Sequence, residues 1–329
     1  MNINHSNTIR QQLLANLTKV TGPILLAVFA LFQAGLSLAG SDPPIPSSIV
    51  YVAESQNDNL NRRITELLIE AFPESVALRS FTPGQTSQDN TSPVIALGPD
   101  AFNQVRRENA RVPVLGLFAD KAFLESDIEQ GPGQNVSAIL SDTPLIRQAA
   151  IGKSILPYAT RVAMLARPET EDLYVPVLEQ LQSLGMEGRI FVVPSTERLI
   201  PTLIRALDYG DFLLAATGDG VYNPRTIKHI LLTAYRRNII VIGPSQPYVK
   251  AGALASSFTP LSEIAESATE YLQHYWQTGE FPPAKRPEAF GIEINRQVGR
   301  SLNIPIPERQ ALIDSVIQRL QNRGAQSNE

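Results

Sequence analysis

Two continuous apolar runs, FLLAATG (212–218) and NIIVIG (238–243), narrow most sharply what this chain of 329 residues can fold into. A strand with one wet face alternates apolar and polar residues, whereas a strand covered by helices on both faces is apolar throughout. Both runs therefore predict central strands of a parallel sheet. Between them, Pro224 stands where a helix can open without losing a backbone donor, and Ile227, Ile230, Leu231 and Ala234 follow at the spacing of one helical face. The loops leaving these strands, GDGVYN (218–223) and GPSQPYV (243–249), are polar. Open α/β sheets bind ligands in the crevice beyond the carboxyl ends of their strands, so these loops are the first candidates for function.

The rest of the chain keeps the same alternation. SIVYVA (48–53) reads as the first strand, and Leu60, Ile64, Leu67, Leu68 and Ala71 mark the helix after it. SVALRSF (75–81), PVIALG (93–98) and VPVLGLF (112–118) supply further strands, with a helix from Pro99 to about Asn109. The cluster GPGQN (131–135) punctuates the chain before VSAIL (136–140), and Pro144 can open the next helix. RVAMLAR (161–167) and RIFVV (189–193) read as strands, with helices near 171–184, 201–208 and 224–237. ALASSF (253–258), a helix from about Ser262 to Thr278, and AFGIEIN (289–295) complete an α/β order.

The first 39 residues carry Arg10 and Lys19 and no acid, then an apolar core from Ile24 to Phe32, then Ser37-Leu38-Ala39 before Gly40. That is the pattern of a cleavable export signal, and Gln33, Gly35 and Ser37 cut the apolar run well short of the roughly 20 residues a membrane span needs. Export to the periplasm is therefore expected, with a mature chain from Gly40. The chain has no cysteine, which excludes disulfides, thiolate metal sites and a lipid-anchoring cysteine after the signal. The formal charge is −4, and losing Arg10 and Lys19 takes it to −6. Neither nucleic acid nor an anionic membrane is an expected partner, because both need clustered basic charge.

Chemistry is sparse. His5 falls in the signal, and His229 and His274 sit within helical patterns with no second histidine at metal-ligand spacing. No GxSxG elbow and no GxxxxGK[ST] loop occurs, and AESQND (53–58) stands where a dinucleotide fingerprint would. The chain is thus expected to be no enzyme and to carry no cofactor or metal.

Three blocks, VYNPRTIKHILLTAYRRN (221–238), VIGPSQPYVKAGALAS (241–256) and FGIEINRQVGRSLNIPIP (290–307), resemble the substrate-binding proteins of ABC transporters. The likeness is to the branch of the type I periplasmic binding fold that includes tryptophan and tyrosine binders, and it extends more weakly back through 136–171. The resemblance implies two Rossmann-like parallel-sheet domains joined by a multi-strand hinge. Residues 40–140 would form the first domain, completed by about 259–285, and residues 141–258 the second, completed by about 286–329. Crossovers are expected near 139–141, 255–258 and 292–295. The implied function is capture of a small organic solute, such as an amino acid or aromatic compound, and delivery to ABC permease subunits by a monomer that closes about its hinge. A periplasmic sensory or regulatory protein that uses the same cleft to act on a membrane receptor is the alternative.

Polar residues beyond strand ends are the expected ligand contacts. Ser55 and Gln56 follow the first strand, and Asp142 and Thr143 follow VSAIL. Arg167 follows RVAMLAR, Asp219, Tyr222 and Asn223 follow FLLAATG, and Ser245 follows NIIVIG. Asp142 and Thr143 have a second reading as caps of the helix at Pro144, and Asn223 has the same one at Pro224. Tyr222 suits either stacking on a planar solute or burial between helix and sheet. The loop Thr217-Gly218-Asp219-Gly220 departs from the Thr-Asp-Asn or Pro-Asp loop of many relatives, and its glycines admit positive φ.

Overall fold

The computed structural model describes residues 48–84, 91–128, 135–218 and 220–326. The expected export signal lies outside the described residues.

Five parallel strands form the first sheet: β1 (Ser48–Ala53), β2 (Val76–Ser80), β3 (Val94–Leu97), β4 (Val114–Ala119) and β5 (Val136–Leu140), in the order β2-β1-β3-β4-β5. One face is covered by α1 (Asp58–Ala71), the other by α2 (Pro99–Glu108). Asn57 opens α1 by accepting from the Leu60 N–H at 3.2 Å, and its apolar stripe buries Ile64 and Leu68 completely. Each such side chain contributes about 1.5–3 kcal/mol of burial.

The second sheet holds β6 (Arg161–Ala166), β7 (Glu187–Val192), β8 (Phe212–Leu214), β9 (Ile240–Ile242), β10 (Ala255–Phe258) and β11 (Gly291–Ile294). Its order is β11-β10-β9-β8-β6-β7, parallel except for the β10–β11 pair. The expectation of two mainly parallel α/β sheets is met, and the apolar runs are buried strands because helices flank both faces. α3 (Leu145–Ile155) and α4 (Val175–Leu181) cover one face, and α5 (Leu199–Tyr209) and α6 (Ile227–Arg236) the other. The short α7 (Gln246–Ala251) follows β9.

Late elements are shared out between the sheets. α8 (Leu261–Thr278) lies on the first sheet beside α1, burying Ile264, Ala268, Tyr271 and Leu272 against Val50 and Ile64. α9 (Arg296–Ser301) and α10 (Arg309–Gln326) belong to the second, where Leu312 and Val316 are fully buried. Among the described residues the chain passes between the sheets three times: through 141–144, through 259–260 and through 279–290. The expected crossover segments instead lie largely within strands, because their ladders run on. Ile139 still pairs with Leu117 and bridges to Lys285, and Phe258 pairs with Gly291. The last passage is pinned to β5 by the Leu140 N–H donating to Lys285 O at 3.0 Å and by Ser137 Oγ donating to Pro282 O at 2.6 Å.

Candidate functional site

A cavity of about 330 Å³ opens where the links meet the carboxyl ends of the second sheet's strands. Asp142, Thr143 and Pro144 come from the first link and Arg286 from the last; Leu145, Ile146 and Gln148 come from the first turn of α3. Leu173, Val177 and Gln180 line it from the α4 side, Ala215 to Thr217 from the end of β8, and Pro244 from the end of β9. Of the first sheet's loops, only Lys121 lines it among the described residues.

The floor is held by Gln148, which is 1% exposed. Its amide nitrogen donates to Thr143 Oγ1 and to Ser256 Oγ, both at 3.0 Å, and its oxygen accepts from the Ser257 N–H at 3.0 Å. One side chain thus ties the first link to β10, and a buried amide satisfied on both ends fixes that geometry. Gly243 lies against this floor with φ 82°, and a Cβ there would meet Ala215 O at 2.9 Å, so any larger residue would be both strained and crowded.

Arg286 joins the links electrostatically. Its Nε donates to Asp142 O at 2.7 Å, and a terminal nitrogen donates to Asp142 Oδ1, the two residues being 144 positions apart in sequence. Arg147, one residue before Gln148, stacks over Phe290 with its guanidinium 4.3 Å from the ring centre. It is 9% exposed, and its Nε and one terminal nitrogen have no hydrogen-bond partner among the described residues. Burial first, then repulsion from Arg286, pulls its pKa down to about 10, with Asp142 opposing. It therefore remains a cation at neutral pH.

On the first sheet, β4 ends in a bulge. Phe118 has φ 62°, uncommon for a bulky residue, and the register with β5 shifts between Leu117 and Ala119. The extra residue re-aims the strand end just before Asp120, which accepts from the Phe123 N–H at 2.8 Å and starts a short helical segment that carries Lys121 and runs on to Ile128. Lys121 pairs with the exposed Glu125 at 3.3 Å, a contact worth little in water.

Of the residues expected from the sequence, Asp142 and Thr143 line the cavity. Neither caps α3, whose first turn receives no side-chain cap. The others lie outside the cavity lining. Ser55 is tied into a local turn, its N–H and hydroxyl both donating to Asn61 Oδ1 at 3.0 and 2.7 Å, and Gln56 is exposed beside it. Arg167 sits under the loop at Gly220 and donates to Val193 O at 3.2 Å. Tyr222 is buried in the core beneath α6, and its carbonyl accepts from Tyr248 Oη at 2.6 Å. Asn223 accepts from the Arg225 N–H at 2.9 Å, a turn-forming bond that serves the approach to α6. Ser245 is the half-buried cap position of α7, without a side-chain cap bond, and Asp219 lies outside the described residues. Gly218 and Gly220, flanking it, do adopt positive φ, 78° and 72°.

Gln148, Arg286, Arg147 and Lys121 were not among the expected residues. A partial signal existed for two of them: Arg147 and Gln148 interrupt LIRQAAIGKSI within a helix whose other early positions are apolar or small.

Two parallel-sheet lobes, three passages between them and a cavity at the strand ends define a type I periplasmic binding fold, and that is how this chain folds. Solved structures similar to it include a ligand-free, open substrate-binding protein with adhesive properties from Clostridium difficile, with TM-score 0.66, 14% identity, and 79% of this chain and 96% of that one covered. An ABC domain in complex with L-Trp from Streptococcus pneumonia gives TM-score 0.53 at 15% identity over 82% and 97% of the two chains. A conserved domain protein from Vibrio cholerae gives 0.52 at 15% identity over 82% and 98%. No family model matches the chain, and no curated protein matches it. Among the described residues, no helix is long and apolar enough to cross a membrane.

Proposed function

We propose that this protein is exported, captures a small organic solute in the cavity between its lobes, and delivers it to an ABC permease. The observation that carries the reading is the cavity's position. It is lined by two of the three links and by the second lobe, with Lys121 reaching it from the first. A solute seated there completes its contacts with the first lobe only when the lobes close, so it shifts the open–closed equilibrium by the difference in its affinity for the two states. In this reading residues 40–140 with 259–285 move as one body against 141–258 with 286–329, and residues 1–39 are a leader removed at Gly40. The resemblance to ABC binding proteins and the shared fold support delivery to a permease.

Mass spectrometry of small molecules that co-purify with the exported protein tests capture directly. A stoichiometric solute that is absent from an Ala216→Trp variant, whose cavity is filled, is the expected result. Protein that carries nothing and binds nothing through this cavity would sink the reading. Small-angle scattering at saturation with that solute should show a smaller radius of gyration, and an unchanged one would leave binding without closure.

A further inference from the structure

Granted that binding reading, the charges around the cavity narrow the solute's class. Pro144, Leu145 and Ile146 place the first turn of α3, an 11-residue helix, on the cavity wall, and no side chain caps it. The unpaired N–H groups of a helix start carry a positive partial charge and favour an anion. Arg286 lines the same wall, and its two bonds to Asp142 engage Nε and one terminal nitrogen, so the second terminal nitrogen stays out of them. Arg147, in the same first turn of α3, adds a second guanidinium, nine-tenths buried over Phe290, with two nitrogens lacking partners among the described residues. Arg286 holds the one carboxylate while Arg147 stacks on Phe290, and a buried cation without its full set of acceptors is costly unless something anionic completes it.

Among the described lining residues no free acid supplies the opposite charge. Asp142 is the one acid lining the cavity among the described residues, and Arg286 already holds it. Among the described lining residues an ammonium group would find no open carboxylate. The remaining wall is apolar, from Leu145, Ile146, Leu173, Val177 and Ala216, and no aromatic ring lines it among the described residues.

We propose that the cavity takes a small organic acid that carries a carboxylate and no ammonium group, with the carboxylate at the start of α3 beside Arg286 and the apolar body against Ile146, Leu173 and Val177. Arg147 acts as a positioning charge.

The test is calorimetric titration of the full protein with matched triplets: isocaproate, isocaproamide and leucine; hydrocinnamate, hydrocinnamamide and phenylalanine; and the equivalent sets built on shorter aliphatic acids. The expected result is that an acid binds and that its amide and its amino acid bind about tenfold more weakly or worse, a difference of about 1.4 kcal/mol. An amide or amino acid bound as tightly as its acid overturns the inference and leaves the cavity a binding site. Silence from every triplet also overturns it, while the co-purification experiment decides capture separately. Arg147→Met gives a second readout. Removing an under-satisfied buried cation should raise the melting temperature of the solute-free protein while weakening the best acid about tenfold. If Arg147→Met binds that acid as the wild type does, Arg147 has no part in it.

Discussion

Numbered from its own first strand, each lobe has the order 2-1-3-4-5, to which the second lobe adds a sixth, antiparallel strand, yet the two lobes end their strands differently. After β1 the first lobe closes its loop on itself: Asn61, 4% exposed, takes up the Ser55 N–H and hydroxyl and returns a bond to Ser55 O at 2.8 Å. After β8 and β9 the second lobe turns through positive φ at Gly218, Gly220 and Gly243, and these strand ends line the cavity at Ala215 to Thr217 and Pro244. Topology fixes where loops emerge, and local hydrogen bonding decides which of them remain available to a solute. In the proposed reading the second lobe is therefore the receiving wall and the first the closing one.

The largest effect should come from the receiving wall's floor. Gly243→Ala forces a side chain into positive φ and against Ala215 O, and should cost about 3 kcal/mol. Urea unfolding measures it, and wild-type stability would show that the floor yields freely. Gln148→Leu should cost about 2 kcal/mol by stranding the Ser257 N–H and removing the donor to Ser256 Oγ, and should also weaken the best acid, since it frees Thr143. If affinity survives that loss, the floor does not set the cavity's shape.

On the closing wall, Asn61→Ala should cost about 1–2 kcal/mol, speed amide exchange in 54–61, and leave solute affinity nearly unchanged. A loss of affinity as large as that of Gln148→Leu would erase the distinction between the walls. The smallest effect belongs to Ser257→Ala. Ser257 Oγ is buried without a partner among the described residues, so its removal should leave the melting temperature level or slightly higher. A clear fall would reveal a bond that the structure does not record.

The lobes and their strands were legible because buried parallel strands need unbroken apolar runs. The limits of those runs were not. FLLAATG was read as a strand through 218, but β8 stops at Leu214, since Ala215 to Thr217 turn outward to line the cavity. The helix expected from Pro224 starts at Ile227, because Thr226 Oγ1 accepts from the Asn223 N–H and holds the intervening residues in a turn. Small apolar residues look alike in a strand and in a cavity wall.

The site was legible in part for a similar reason. Asp142 and Thr143 could be found because they follow a strand directly. Arg286 could not, since its meaning depends on Asp142, 144 positions earlier, and nothing local to a Pro-rich link announces that partner. Tyr222 misled in the other direction: a tyrosine at a loop suggests stacking, but the segment dips beneath α6 and buries the ring.

The placement of α8 bears on the order in which the protein can be made. The first sheet is complete at Leu140, yet the helix that covers Val50, Ile64 and Ile139 spans Leu261–Thr278. While the intervening stretch is made, that face has α1 as its cover and lacks the share that α8 supplies. A chain that stops short of Leu261 would hold all of the first sheet and five of the second sheet's six strands, and still be sticky. The lobe that is begun first is thus finished close to last, and the whole polypeptide matures as one product.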